Sequence, residues 1–178
     1  MEKEELIKKI QNSTTEEIRQ MIINGEVEAA NLTDAGICPT CFSKANDNIV
    51  YGDNTGRMIY EDEDFECFLE SKPRAVGHTI ILAKTHYKDM MEADPEIINK
   101  IFPLSHKTMK ALMEVYPEVE SVYLCTMCDG QANHFHVQLI PRYIGTKRGS
   151  KNFVRPRQDY VEDKEKLKYL RKILNDNQ

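Results

Sequence analysis

A chain of 178 residues with 24 Lys and Arg against 29 Asp and Glu carries a formal charge of -5, which argues against a general nucleic-acid binder, since neutralising phosphates calls for a basic face. The length suits one domain with decorations and a substantial core. No apolar run approaches the ~18 residues of a membrane span, the opening Met1-Glu2-Lys3-Glu4-Glu5 lacks a signal-peptide core, and five cysteines do not form a dense secreted framework, so a cytoplasmic protein with reduced thiols and bound metal is expected.

The first 35 or so residues read as helical. Glu2 to Gln11 makes a short charged helix, and Thr14 with Glu17 makes a capping box for a second helix carrying Ile18, Met21 and Ile22 on one side. Cys38-Pro39-Thr40-Cys41 follows. A hairpin is then expected, with Asn48 to Tyr51 and Arg57 to Tyr60 flanking the turn residues Gly52 to Gly56. The acidic run Glu61 to Asp64 marks another turn, Phe65 to Leu69 a strand, and His78 to Ala83 a third β-rich run. Asp94 and Pro95 open a long helix with the stripe Ile97, Ile98, Ile101, Phe102, Met109, Leu112 and Met113, which Pro103 should kink or interrupt and Pro117 should end. Ser121 to Met127 is a strand, Cys128 to Ala132 a short loop, and Leu167, Leu170 and Leu174 define a last amphipathic helix. Meander, long helix, hairpin and tail helix together describe an α+β fold, an antiparallel sheet with the helix packed on it.

The run Asn133 to Arg142 reads as a strand with two imidazoles and an amide at alternate positions. His134, His136 and Gln138 would share one face, and Phe135, Val137 and Leu139 the other. A histidine bound to a metal cannot also be a free nucleophile, so the two histidines should do different jobs. Cys38-x-x-Cys41 has chelate spacing but is half a site. Either Cys125 and Cys128 complete it, or histidines do; Cys125 lies in an apolar strand pattern, where cysteine behaves as a small hydrophobe, so its pairing with Cys128 reads as accidental. Lys147, Arg148, Lys151, Arg155 and Arg157 follow the histidine strand. Such a cluster alone reads as a solvated loop, and its nearness to the histidines suits a small phosphate-bearing ligand.

The run His134-Phe135-His136-Val137-Gln138-Leu139-Ile140-Pro141-Arg142-Tyr143 resembles the signature of the histidine triad superfamily. Tyr60 to Phe65, Phe68 to Pro73 and Gly77 to His86 resemble that family's nucleotide-cradling segments in the right order. The likeness covers about Ile37 to Tyr143. It implies a nucleotide-binding domain over 37–145, and it leaves uncovered the helical extension over 1–36 and the basic connection with a C-terminal helix over 146–178. It further implies a nucleotide hydrolase or nucleotidyltransferase acting on phosphoanhydrides such as dinucleoside polyphosphates. His136 would be the nucleophile, forming a covalent nucleotidyl-histidine; Cys38, Cys41, His86 and His134 would hold a structural zinc; and Glu70, Phe68, Gln131 and Arg142 would contact the nucleotide. Homodimerisation around the long helix is implied as well.

Gln138 departs from the histidine common at the third triad position. It resembles transferase and phosphorylase branches in which the acceptor is often phosphate instead of water, because an amide donates a hydrogen bond but carries no charge. The loop Met127 to Ala132 is abbreviated relative to the family pattern. The rival readings are a non-catalytic nucleotide-binding or regulatory protein, and a four-cysteine zinc module docking a partner or nucleic acid.

Overall fold

The computed structural model describes residues 2–176, which form two compact units. One unit comprises the chain up to Asp53 with His86–Glu92 and Cys128–Phe135. It holds helices α1 (Lys3–Gln11), α2 (Thr15–Ile23), α3 (Ala29–Asp34) and α4 (Pro39–Ala45). The expected capping box is formed: the Thr14 hydroxyl accepts from the Glu17 amide at 3.3 Å, and the Glu17 carboxylate accepts from the Thr14 amide at 2.7 Å. Ile10, Ile18, Met21, Val27 and Leu32 make the core of this unit, with Ile37 and Phe42 packed against it.

The other unit is the sheet and its helices. Strands β1 (Met58–Glu61), β2 (Phe65–Leu69), β3 (Thr79–Ala83), β4 (Val119–Cys125) and β5 (His136–Tyr143) run in spatial order β1-β2-β3-β5-β4, and each neighbouring pair is antiparallel. This is the α+β meander and hairpin the sequence implied. The helix α5 (Pro95–Val115) packs on the sheet, where Thr108 Oγ1 meets Cys67 Sγ at 4.0 Å, and α6 (Lys164–Asn175) lies against α5 and β1. Leu167, Leu170 and Leu174 of α6 are buried, as their spacing predicts.

Three local expectations are corrected. The 48–51 segment is a turn, not a strand: Asp47 and Asn48 adopt left-handed backbone at φ 56 and 57, and the Ser43 hydroxyl accepts from the Val50 and Tyr51 amides. Side-chain capping of backbone amides competes with a sheet ladder, and here it wins. The hairpin is instead β1 to β2, turned by Asp62, whose Oδ1 accepts from the Asp64 and Phe65 amides at 2.9 and 2.7 Å. Second, α5 continues unbroken through Pro103. Asn99, whose carbonyl loses its donor there, is exposed, so water can satisfy it. Third, β5 begins at His136, leaving Asn133, His134 and Phe135 in the preceding segment. The alternation therefore joins His136 to Gln138 and does not include His134.

Candidate active site and metal centre

In the first unit Cys38 is the N-cap of α4, with Pro39 at the first helical position and the Cys41 amide 3.5 Å from Cys38 Sγ. That first turn aims both thiols the same way. The Phe135 amide donates to the Tyr87 carbonyl at 2.7 Å, pinning the segment that carries His134 to the one that carries His86. Cys41 Sγ lies 3.3 Å from His86 Nδ1 and 3.4 Å from His134 Nδ1; Cys38 Sγ lies 3.7 Å from His134 Nδ1; and the two Nδ1 atoms are 3.4 Å apart. A tetrahedral zinc with Zn–S near 2.3 Å and Zn–N near 2.05 Å sets edges of about 3.6 Å for S to N and about 3.4 Å for N to N. The residues fit. As a protein-only pair, burial first, then hydrogen bonding and repulsion from Cys38, push the Cys41 thiol up to about 11; a divalent cation displaces such protons. The group can hold a metal ion, and among the described residues the clustered ligand atoms are these four, without Cys125 or Cys128.

The second unit carries the other histidines. Register across the sheet aligns Phe68, Ile80, Gln138 and Cys125 in one row. Since Cys67 faces α5, alternation puts this row on the opposite face, with His136 one step along β5 from Gln138 on the same side. His136 is half-buried and Gln138 buried.

Their hydrogen bonds have one consistent direction. The Arg74 backbone amide can only donate, and it donates to His78 Nδ1 at 3.1 Å. His78 is fully buried, and desolvation, outweighing the nearby Glu70, pulls its pKa down to about 4. It is therefore neutral at pH 7 and carries its proton on Nε2. That N–H donates to Gln138 Oε1 at 3.2 Å, so the Gln138 amide nitrogen faces His136 Nε2, 3.3 Å away, and donates to it. His136 Nε2 accepts there through its lone pair.

Glu70 follows β2. Its Oε1 accepts from Ser71 Oγ and the Lys72 amide, both at 3.1 Å, and Oε2 pairs with Arg157 at 3.7 Å. It also lines a cavity of about 190 Å³ with His78, Tyr116, Asp159 and Tyr160. Phe68 sits half-buried in the Gln138 row. Arg142, by contrast, is four residues along β5 from Gln138, about 13 Å away, and its guanidinium is held by Glu120 at 2.7 Å, Ser121 at 3.1 Å and the Thr146 carbonyl. Gln131 is exposed in the loop of the first unit. The structure thus groups His136 and Gln138, and it adds His78, which the sequence pattern marks only as the opening of a strand. A third histidine directly after a glycine at a strand start was the available signal. Gly77 holds φ +77, and a Cβ there would meet Tyr116 at 3.1 Å, so the turn that delivers His78 calls for glycine.

Comparison with known proteins puts a family on this geometry. The HIT domain profile matches residues 52–145, more than half of the chain. The chain belongs to the HIT domain family. "Protein hit" of Bacillus subtilis is 32% identical over 101 residues, covering 53% of this chain and 68% of its own. An uncharacterized HIT-like protein of Methanocaldococcus jannaschii is 35% identical over 100 residues, 54% of this chain and 77% of its own. Among solved structures, a zinc-bound histidine triad family protein of Mycobacterium smegmatis superposes with a TM-score of 0.55 at 25% identity, covering 67% of this chain and 84% of that one. The HIT domain as matched stops at Gly145 and excludes the connection and α6.

Proposed function

We propose that this HIT protein transfers a nucleoside monophosphate group from a phosphoanhydride or similar conjugate to water or phosphate, through a covalent intermediate on His136. The observation that carries the reading is the line of contacts from the Arg74 amide through His78 and Gln138 to His136 Nε2, which suits that nitrogen to act as an acceptor and a nucleophile. In the first step Nε2 attacks the α-phosphorus; an N–P bond forms, the P–O bond to the leaving group breaks, and that group departs with the electron pair. The Gln138 amide, no longer accepted by Nε2, donates to a non-bridging phosphate oxygen. In the second step an acceptor oxygen attacks phosphorus, its proton passes to solvent, and the N–P bond breaks. Phe68 would lie against the base and Glu70 would accept from the ribose. A relative supports this class: an adenylylsulfatase of Arabidopsis thaliana is 27% identical over 127 residues, 67% of this chain and 58% of its own. A diadenosine triphosphate hydrolase of Plasmodium falciparum shares the fold at a TM-score of 0.55 and 16% identity, covering 72% of this chain and 82% of that one.

Cys38, Cys41, His86 and His134 would hold zinc with all four positions filled by protein, which makes it structural, with no place for an activated water. Two ligating thiols suit the reducing cytoplasm. No helix among the described residues is long and apolar enough to cross a membrane. Phe102 and Met113, exposed on α5 with Met109 between them, would form the seam of a homodimer.

The test is covalent trapping. Brief exposure to diadenosine tetraphosphate followed by intact-mass measurement is expected to show an acid-labile adenylyl adduct that is lost in His136→Ala. If no nucleotide donor leaves an adduct, the transfer reading fails and a nucleotide-binding protein without chemistry takes its place. Product analysis with and without added phosphate then separates acceptors: nucleoside diphosphate marks phosphorolysis, and nucleoside monophosphate marks hydrolysis.

A further inference from the structure

Arg74 does two things. Its amide starts the donor chain, while its side chain turns to the C-terminal connection, where Nη1 donates to the Arg155 carbonyl. Its Nε is buried with no hydrogen-bond partner. The residue that ends the His136–Gln138–His78 line therefore carries a permanent cation.

A second cation joins it. Arg157, beyond the matched HIT domain, pairs with Glu70, donates to the Lys72 carbonyl at 2.9 Å, and acts on both Arg74 and His78 by repulsion. The connection that carries it is laid along the Glu70 loop: the Gln158 amide donates to the Pro73 carbonyl at 3.0 Å, and the Tyr160 amide to the Ser71 carbonyl at 3.2 Å. Two arginines thus converge on the Glu70 loop beside a buried neutral imidazole, and Glu70 pairs with Arg157. Crowded like charges raise the free energy of the arrangement, and an anion beside the two guanidiniums relieves that repulsion. Gln138 also leaves a need there, since an amide supplies a hydrogen bond without charge.

We propose that Arg74 and Arg157 form an anion subsite for a second phosphate, the one not attacked by His136. Its source is either the leaving phosphate of the donor or an inorganic phosphate acceptor. The subsite rests on the transfer reading for its purpose but not for its existence. It also accounts for part of the basic run after the histidine strand, which the connection brings back to the Glu70 loop.

Calorimetric titration of the zinc-loaded full chain with inorganic pyrophosphate tests it. Saturable binding is expected, weakened about tenfold to a hundredfold in Arg74→Gln, the loss typical of a charge-assisted hydrogen bond, and about tenfold in Arg157→Gln, which leaves the Arg155 tether in place. Circular dichroism on each variant confirms folding. No saturable binding to the wild type, or unchanged binding in both folded variants, overturns the proposal. Kinetics assign the source: a raised KM confined to donors whose leaving group is a phosphate marks a leaving-group subsite, and a raised KM confined to phosphate as acceptor marks an acceptor subsite. If no donor yields an adduct on His136 yet pyrophosphate binding depends on Arg74, the reaction falls and the subsite stands. If an adduct forms while binding is indifferent to both arginines, the reaction stands and the subsite falls.

Discussion

Acidifying the protein should weaken it through His78 by an amount that can be worked out. An imidazole with an ordinary pKa of 6.5 in the unfolded chain and about 4 in the fold contributes stability that is complete above the unfolded value and is lost as pH falls. The unfolded state takes the proton first, and the buried ring, holding the Arg74 amide on Nδ1, refuses it. Between pH 7 and pH 5 the loss is about 2 kcal/mol, approaching about 3.4 kcal/mol below pH 4, at about 1.4 kcal/mol per decade between the two pKa values. Urea denaturation of wild type and His78→Gln at pH 7 and pH 5, with chelator present so that metal release cancels, isolates it. The wild type should lose about 2 kcal/mol more than the variant over that interval. An equal loss in both would mean that the fold does not depress the His78 pKa, and the acid sensitivity assigned to that ring would fall.

Three further outcomes are expected. His86→Ala should release zinc, measured by a colorimetric chelator, while Cys125→Ser and Cys128→Ser should keep one zinc per chain; retention of zinc in the histidine variant would refute the four-ligand assignment. Gly77→Ala forces a side chain into φ +77 and against Tyr116, and should cost about 1–3 kcal/mol in thermal or urea unfolding; a loss below about 0.5 kcal/mol would contradict the strained turn. Light scattering should report the mass of two chains for wild type and one for the double variant Phe102→Asp and Met113→Asp, and a wild-type monomer would remove α5 as a dimer seam.

How much of the molecule is legible in its sequence depends on the range of each cause. Period-two runs such as Phe65 to Leu69 and the stripe of α5 reveal themselves because one residue's burial predicts its neighbour's. The Thr14 capping box is equally local. The 48–51 segment misleads because its conformation is set from outside, by a serine hydroxyl five or more residues upstream that captures its amides. The four clustered candidate ligands are reached through family likeness, since spacing alone leaves cysteines and histidines as alternatives. Nothing local could show that Arg142 would be committed to Glu120 and Ser121, or that residues 157 to 160 return to the Glu70 loop. Such long-range pairings carry no periodic trace.

That return has a practical side. A clone cut after Gly145, where the matched segment ends, would retain each histidine of the motif and all five strands. It would also strip the Pro73 and Ser71 carbonyls of their amide partners, cut the tether on Arg74, and free Glu70 from its cation. An inactive excised fragment would then report on the missing tail and would say nothing against the histidines it still contains.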